Sequence, residues 1–127
     1  MGIVNDEIFK VAKIEHTDNV IKADLSINPN CSIFKGHFPG QPVVPGACML
    51  QIVKEVLESA LGQSLQLKKA SQLKFINMID PVKTASVQLE TSYKLFGDDI
   101  SFTGKLSDGE TVCFKCSAIV GIVTNNR

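Results

Sequence analysis

One stretch of this chain reads as a helix, and it stands alone. Residues 47–61 contain neither glycine nor proline, and Leu50, Val53, Leu57, Ala60 and Leu61 recur at three- and four-residue spacing, with Gly62 placed to stop the helix. That spacing puts the apolar side chains on one face, which no second helix is present to cover.

The surroundings of the helix alternate instead. Residues 7–15, 19–28, 65–77, 84–96, 100–106 and 110–123 read as strands; the clearest sets Val87, Leu89, Thr91, Tyr93 and Leu95 against Ser86, Gln88, Glu90, Ser92 and Lys94. Gly97-Asp98-Asp99 and Ser107-Asp108-Gly109 are tight-turn sequences, so the last three strands should form an antiparallel meander. One helix and six such strands predict an α+β fold: a curved six-stranded antiparallel sheet wrapped around one long central helix, as a single domain over residues 1–127.

Thirteen basic and thirteen acidic residues leave no net charge and form no like-charged block, which argues against nucleic acid or an anionic membrane as a partner. The first seven residues lack the basic-then-apolar order of a signal peptide, and no apolar run approaches the roughly 20 residues of a membrane span. The expectation is a soluble cytoplasmic protein. At 127 residues the chain has room for a core but little for enclosing a substrate unaided, so a site shared between two chains is anticipated.

The four cysteines do not form a framework. Cys113 and Cys116 have CxxC spacing, yet they fall in a strand, where positions three apart point to opposite faces, and no second CxxC or histidine pair completes a zinc set. They read as ordinary reduced thiols. No phosphate loop or dinucleotide fingerprint is present, so no metal, nucleotide or redox cofactor is expected.

The specific part of the sequence precedes the helix. Prolines at 29, 39, 42 and 45 and glycines at 36, 40 and 46 rule out regular structure over residues 29–45 and predict a long functional loop. His37 sits in Gly36-His37-Phe38-Pro39-Gly40, and Pro39, Pro42 and Pro45 each fix one φ and restrict the residue before it. A loop stiffened in this way suits a general base. Gly46 opens the helix, where backbone N–H groups lack intrahelical acceptors and the dipole is positive, so a developing oxyanion could be held there.

This stretch, from Phe34 to Gln51, resembles the active-site signature of the 3-hydroxyacyl-acyl-carrier-protein dehydratases: HFPG, a following proline, and a PG that starts the central helix. The order of strands, loop and helix is also similar to that family, whose fold is the hotdog. The resemblance implies elimination of water from a 3-hydroxyacyl thioester of acyl carrier protein or coenzyme A. By position it makes His37 the base at C2, Gly46 the amide donor to the thioester carbonyl, and Phe38, Pro45, Ala47, Cys48 and Leu50 the substrate-binding residues. It also implies a hotdog dimer, with the histidine of one subunit and the acid of the other in each site.

The family's helix carboxylate falls fourteen residues after the histidine, and here that position is Gln51. An amide donates a hydrogen bond but releases no proton, and general acid catalysis contributes roughly 10²–10⁴ in rate. Three readings follow. In a heterodimer, an acid-bearing relative would supply the carboxylate to His37. In a homodimer, Glu55, one turn or about 5.4 Å along the same face, would act through water. Alternatively the chain is a non-catalytic, acyl-binding subunit. An acyl-thioester hydrolase is a fourth possibility.

Other candidates have plainer readings. His37 outside its motif would be a structural loop histidine, and His16 reads as a solvated turn residue. Cys48, just inside the helix N-terminus, is either a nucleophile or pocket lining. Lys35, Lys54, Lys68, Lys69 and Lys74 either steer an acidic carrier protein or form wet faces. Phe34, Phe38, Met49, Leu50, Phe75, Ile76 and Met78 are material for an acyl tunnel or for ordinary core.

Overall fold

The computed structural model describes residues 8–36 and 43–123. In chain order the elements are β1 (Phe9–Thr17), β2 (Val20–Ile27), α1 (Ile33–Gly36), α2 (Gly46–Leu61), β3 (Leu65–Phe75), β4 (Ser86–Phe96), β5 (Asp99–Asp108) and β6 (Thr111–Ile122). The strands form one antiparallel sheet in the order β1-β2-β4-β5-β6-β3. After β2 the chain leaves the sheet, runs through α2, adds β3 at the far edge, and returns to build the middle with the meander β4-β5-β6. This is the α+β hotdog arrangement expected from the sequence. No helix among the described residues is long and apolar enough to cross a membrane.

Alternation sets which face is covered. Ala23, Leu89, Leu106, Phe114 and Phe75 are register partners in one row across β2, β4, β5, β6 and β3; Ile21, Thr91, Gly104, Cys116 and Leu73 form the next. Met49, Ile52, Val53, Val56 and Leu57 of α2 are buried against this face. Each such side chain contributes about 1.5–3 kcal/mol by leaving water. Gly104 lets the helix approach closely, since a Cβ there would lie 2.8 Å from Val53 Cγ1. The one buried hydroxyl of that row, Thr91, donates to the Thr103 carbonyl at 2.7 Å, so it carries no desolvation penalty.

Four local expectations need correction. The span 29–45 is not irregular throughout: Asn28, Cys31 and Phe34 are linked by backbone bonds (Cys31 N–H to Asn28 O, Phe34 N–H to Cys31 O) that lead into the one-turn α1, seated by buried Cys31 and Phe34. The strict strand alternation expected through Cys113 and Cys116 is interrupted. Leu106 pairs with Phe114 and Ser107 with Val112, so Cys113 is a bulged residue, and both thiols are buried and free. His16 belongs to β1 rather than a turn, with Nε2 2.7 Å from the Tyr93 hydroxyl. Phe75, Ile76 and Met78 are not core, being 57%, 48% and 80% exposed in the single chain.

The two edge strands are the least covered, β3 most of all. Its register with β6 puts Leu65, Leu67, Ala70, Leu73 and Phe75 on the helix-facing side, yet ten of its eleven residues are exposed. The apolar face of the sheet thus continues past the end of what α2 can cover.

Candidate active site

The helix start is fixed from two sides. Pro45 is the N-cap, in extended conformation at φ −64° and ψ 146°, and Cys48 and Met49 donate to its carbonyl at 3.1 and 3.3 Å. Val44, buried, donates its N–H to the Ile79 carbonyl at 2.9 Å, which ties the approach to the helix to the segment after β3. The N–H groups of Gly46 and Ala47 belong to the first turn, which has no earlier carbonyls to bond within the helix. At Gly46 a Cβ would sit 2.4 Å from Phe75 Cε1, so the aromatic ring lies directly on the glycine. Phe75 in turn stacks on Phe114 at a centroid distance of 5.1 Å.

Two cavities flank this helix start. The larger, about 600 Å³, is lined by Ile8 and Phe9 from β1, Cys31, Ser32 and Ile33 around α1, and Ala47, Cys48, Gln51, Ile52 and Glu55 from α2. The smaller, about 290 Å³, is lined by Val44, Gly46, Met49, Phe75, Ile76, Asn77 and Met78. Its far wall is held by Ile76 N–H to Cys113 O at 2.8 Å and by the Asn77 side-chain amide to Val112 O at 2.7 Å. The larger is mostly apolar, with polar groups at Ser32 and on the exposed stripe of α2, the arrangement that binds and orients a small apolar ligand.

Within the larger cavity, Gln51 Nε2 donates to Glu55 Oε2 at 2.8 Å. The four-residue spacing on one helix brings the two together. Glu55 is the only carboxyl among the described residues lining this cavity. The next carboxyl on the helix is engaged elsewhere: Glu58 accepts the Leu65 N–H at 2.8 Å and meets Lys54 at 3.4 Å, pinning the end of α2 to the start of β3. Burial pushes the Cys48 thiol up from its ordinary value, and neighbouring Cys31 pushes it further in the same direction. Cys116 is pushed up to about 11 by burial, against a smaller opposing pull from a backbone hydrogen bond at Gly104. Neither is a ready thiolate, which favours cavity lining over nucleophilic chemistry for Cys48.

Of the residues singled out in the sequence, His37 and Phe38 lie outside the described residues, and with them the remainder of the HFPG motif. Ala47, Cys48 and Gln51 face the larger cavity and Gly46 the smaller. Pro45 caps the helix, and Leu50 packs partly buried against the core, so neither is among the described residues lining these two cavities. Sequence reasoning missed Ile8, Phe9, Cys31, Ile33 and Ile52 as lining residues, because α1 and the start of β1 meet α2 only in three dimensions. It named Glu55 but measured its distance from Gln51 along the helix axis; the i, i+4 spacing of an amide and a carboxylate was the available signal of side-chain contact.

Comparison with known proteins bears on this arrangement. The ApeI-like family, described as ApeI dehydratase, matches residues 13–115. The 3-hydroxyacyl-[acyl-carrier-protein] dehydratase FabZ of Mannheimia succiniciproducens is 31% identical over 101 residues, covering 73% of this chain and 67% of that one. FabZ of Fusobacterium nucleatum is 23% identical over 113 residues, 85% of this chain and 79% of the relative. Among solved structures, the dehydratase heterocomplex ApeI:P from Xenorhabdus doucetiae superposes with a TM-score of 0.72 at 17% identity, covering 89% of this chain and 97% of that chain.

Proposed function

Because the chain belongs to the ApeI-like dehydratase family, with the hotdog fold of that family, we propose that it is a dehydratase subunit whose site is completed by a second hotdog chain. The reaction is elimination of water from a 3-hydroxyacyl thioester, on acyl carrier protein or coenzyme A, to give the 2-enoyl thioester. His37 takes the C2 proton. The Gly46 N–H, at the positive end of α2, holds the thioester oxygen as it gains charge, a donor role worth about 10²–10³ in rate. The cavity beside Ala47 and Cys48 receives the reacting end of the substrate, and Lys69 and Lys74 of β3, whose third lysine, Lys68, is paired with Asp99, face an acidic carrier.

The observation that carries the two-chain reading is Gln51. At the helix position where the family holds its acid, this chain presents a cavity-facing amide, so the proton for the departing hydroxyl has to come from elsewhere. A relative with an intact carboxylate would supply it to the hydroxyl from its own helix, in a site where His37 is the base. The unfinished inner face of β3 supports a second chain, and the ApeI:P structure is, by its description, a dehydratase heterocomplex.

The test measures formation of 2-enoyl thioester by the purified chain, by Gln51→Glu, and by the chain mixed with an acid-bearing relative from the same genome. The mixture and Gln51→Glu should each form 2-enoyl thioester at least as fast as the chain alone. If neither turns over, the dehydratase reading fails. Tight retention of acyl chains without turnover would then identify a non-catalytic acyl-binding subunit, and release of free thiol a hydrolase.

A further inference from the structure

The replacement of the family's carboxylate by Gln51 does not leave the helix without an acid at that place. One helical turn separates the backbones of residues 51 and 55, about 5.4 Å. The side chains close that gap: Glu55 reaches back until Oε2 is 2.8 Å from Gln51 Nε2. A carboxyl oxygen is therefore displaced from the family's position by one hydrogen bond rather than one turn. It faces the same cavity as Ala47 and Cys48.

Resting on the dehydratase reading above, we infer that Glu55 is the acid of this chain's own helix, the catalytic group that protonates the departing 3-hydroxyl, and that Gln51 is the residue that positions it. The groups cooperate in one balanced step. The base removes the C2 proton and the C2–H electron pair becomes the C2–C3 double bond. The C3–O bond breaks with its pair on oxygen, and that oxygen takes the proton of the Glu55 carboxyl and leaves as water. The resulting carboxylate accepts the N–H of Gln51, which stabilises the charge just formed. The proton on the base then returns to Glu55 through water, and both groups are restored.

The surroundings leave this task to Glu55. The other titratable groups lining the cavity, among the described residues, are the thiols of Cys31 and Cys48, and burial makes that of Cys48 a still weaker acid than an ordinary thiol. Lys54 and Glu58, on the neighbouring stripe of the same helix, are paired with each other and with the backbone of Leu65. Two copies of the chain would then form working sites without an acid-bearing relative, each Glu55 serving the His37 of the other.

The experiment follows 2-enoyl thioester formation from 3-hydroxyacyl thioesters of coenzyme A and of acyl carrier protein, by ultraviolet absorbance, with the chain as the sole protein. The wild-type chain should turn over. Glu55→Gln should lower kcat by about 10²–10⁴ with little change in KM. Gln51→Ala should lower kcat less, about tenfold, as the loss of one hydrogen bond to a charged group would. Adding Gln51→Glu to the Glu55→Gln variant should restore turnover, which separates loss of an acid from loss of fold. If Glu55→Gln keeps the wild-type rate, or if the wild-type chain is inert while Gln51→Glu is active, Glu55 is not the acid and the dehydratase reading stands. If no form turns over, alone or with an acid-bearing relative, that reading falls as well.

Discussion

At the β1 edge of the sheet the inner face is partly covered, whereas at the β3 edge it is left open. On β1 the helix-facing positions run Phe9, Val11, Ile14 and His16, opposite Ile27, Leu25, Ala23 and Ile21. Phe9 is buried, Ile14 packs against the core, and the row ends in an imidazole bonded to the Tyr93 hydroxyl. On β3 the same side runs Leu65, Leu67, Ala70, Leu73 and Phe75, and only Leu65 is buried. Both strands carry lysines and a bulge, the usual devices against stray edge pairing, so the difference lies in the inner face alone. One edge ends in polar groups that water can solvate. The other presents Leu73 and Phe75 at 41% and 57% exposure beside the Gly46 end of the helix, the pattern expected where a second chain finishes both the core and the site.

The largest effect should come from charging the open edge. The double substitution Leu73→Lys and Phe75→Lys removes two large apolar contacts, at about 25 cal/mol per Å², and places two cations where a partner would have to desolvate them. Association should weaken by at least about 10²-fold, seen as a shift to single-chain mass in light scattering, with turnover lost at the same protein concentrations. The matched control is Val11→Lys at the β1 edge, where Val11 is also 40% exposed. It should leave mass and rate as they were. Equal behaviour of the two variants would mean that the edges do not differ in the way their side chains suggest.

A smaller effect should link the open edge to the helix start. Gly46→Ala puts a methyl group 2.4 Å from the Phe75 ring, a clash that the ring or the helix must relieve at about 1–3 kcal/mol. Because the clash is with one side chain, Phe75→Ala in the same chain should recover most of that loss in thermal melts. Additive losses instead of recovery would show that Gly46 is required for its backbone conformation and not for the approach of Phe75.

These contrasts also mark what could be read from the residues alone. Six alternating segments, one helix and the turn glycines at 97 and 109 suffice for the fold, because period-two and period-3.6 patterns are local and each strand boundary lies within two residues of its expected place. The motif around His37 and the departure at Gln51 were legible for the same reason, as fixed spacings along one segment. What escaped were properties of the assembled sheet. The bulge that buries Cys113 arises from pairing with β5, the Tyr93 partner of His16 lies 77 residues away, and the exposure of β3 depends on where α2 stops covering the sheet. The reach of Glu55 toward Gln51 is an intermediate case: the spacing was visible, but the rotamer that joins them was not.

The smallest effect should come from loosening the β1 edge. Tyr93→Phe keeps the buried ring and its packing and removes only the hydroxyl, which sits 2.7 Å from His16 Nε2 and 3.5 Å from the Asp18 carbonyl. His16 is exposed, so water replaces the lost partner and no buried polar group is stranded; the net loss should be about 0.5–1 kcal/mol, a few degrees in melting temperature. Mass in solution and turnover should not change, since neither the β3 edge nor the cavity beside Gln51 includes these residues. A loss well above 1.5 kcal/mol would show that the His16–Tyr93 pair shapes the β1–β2 turn as well as ending the row. A change in mass would put the β1 edge, too, at a surface between chains.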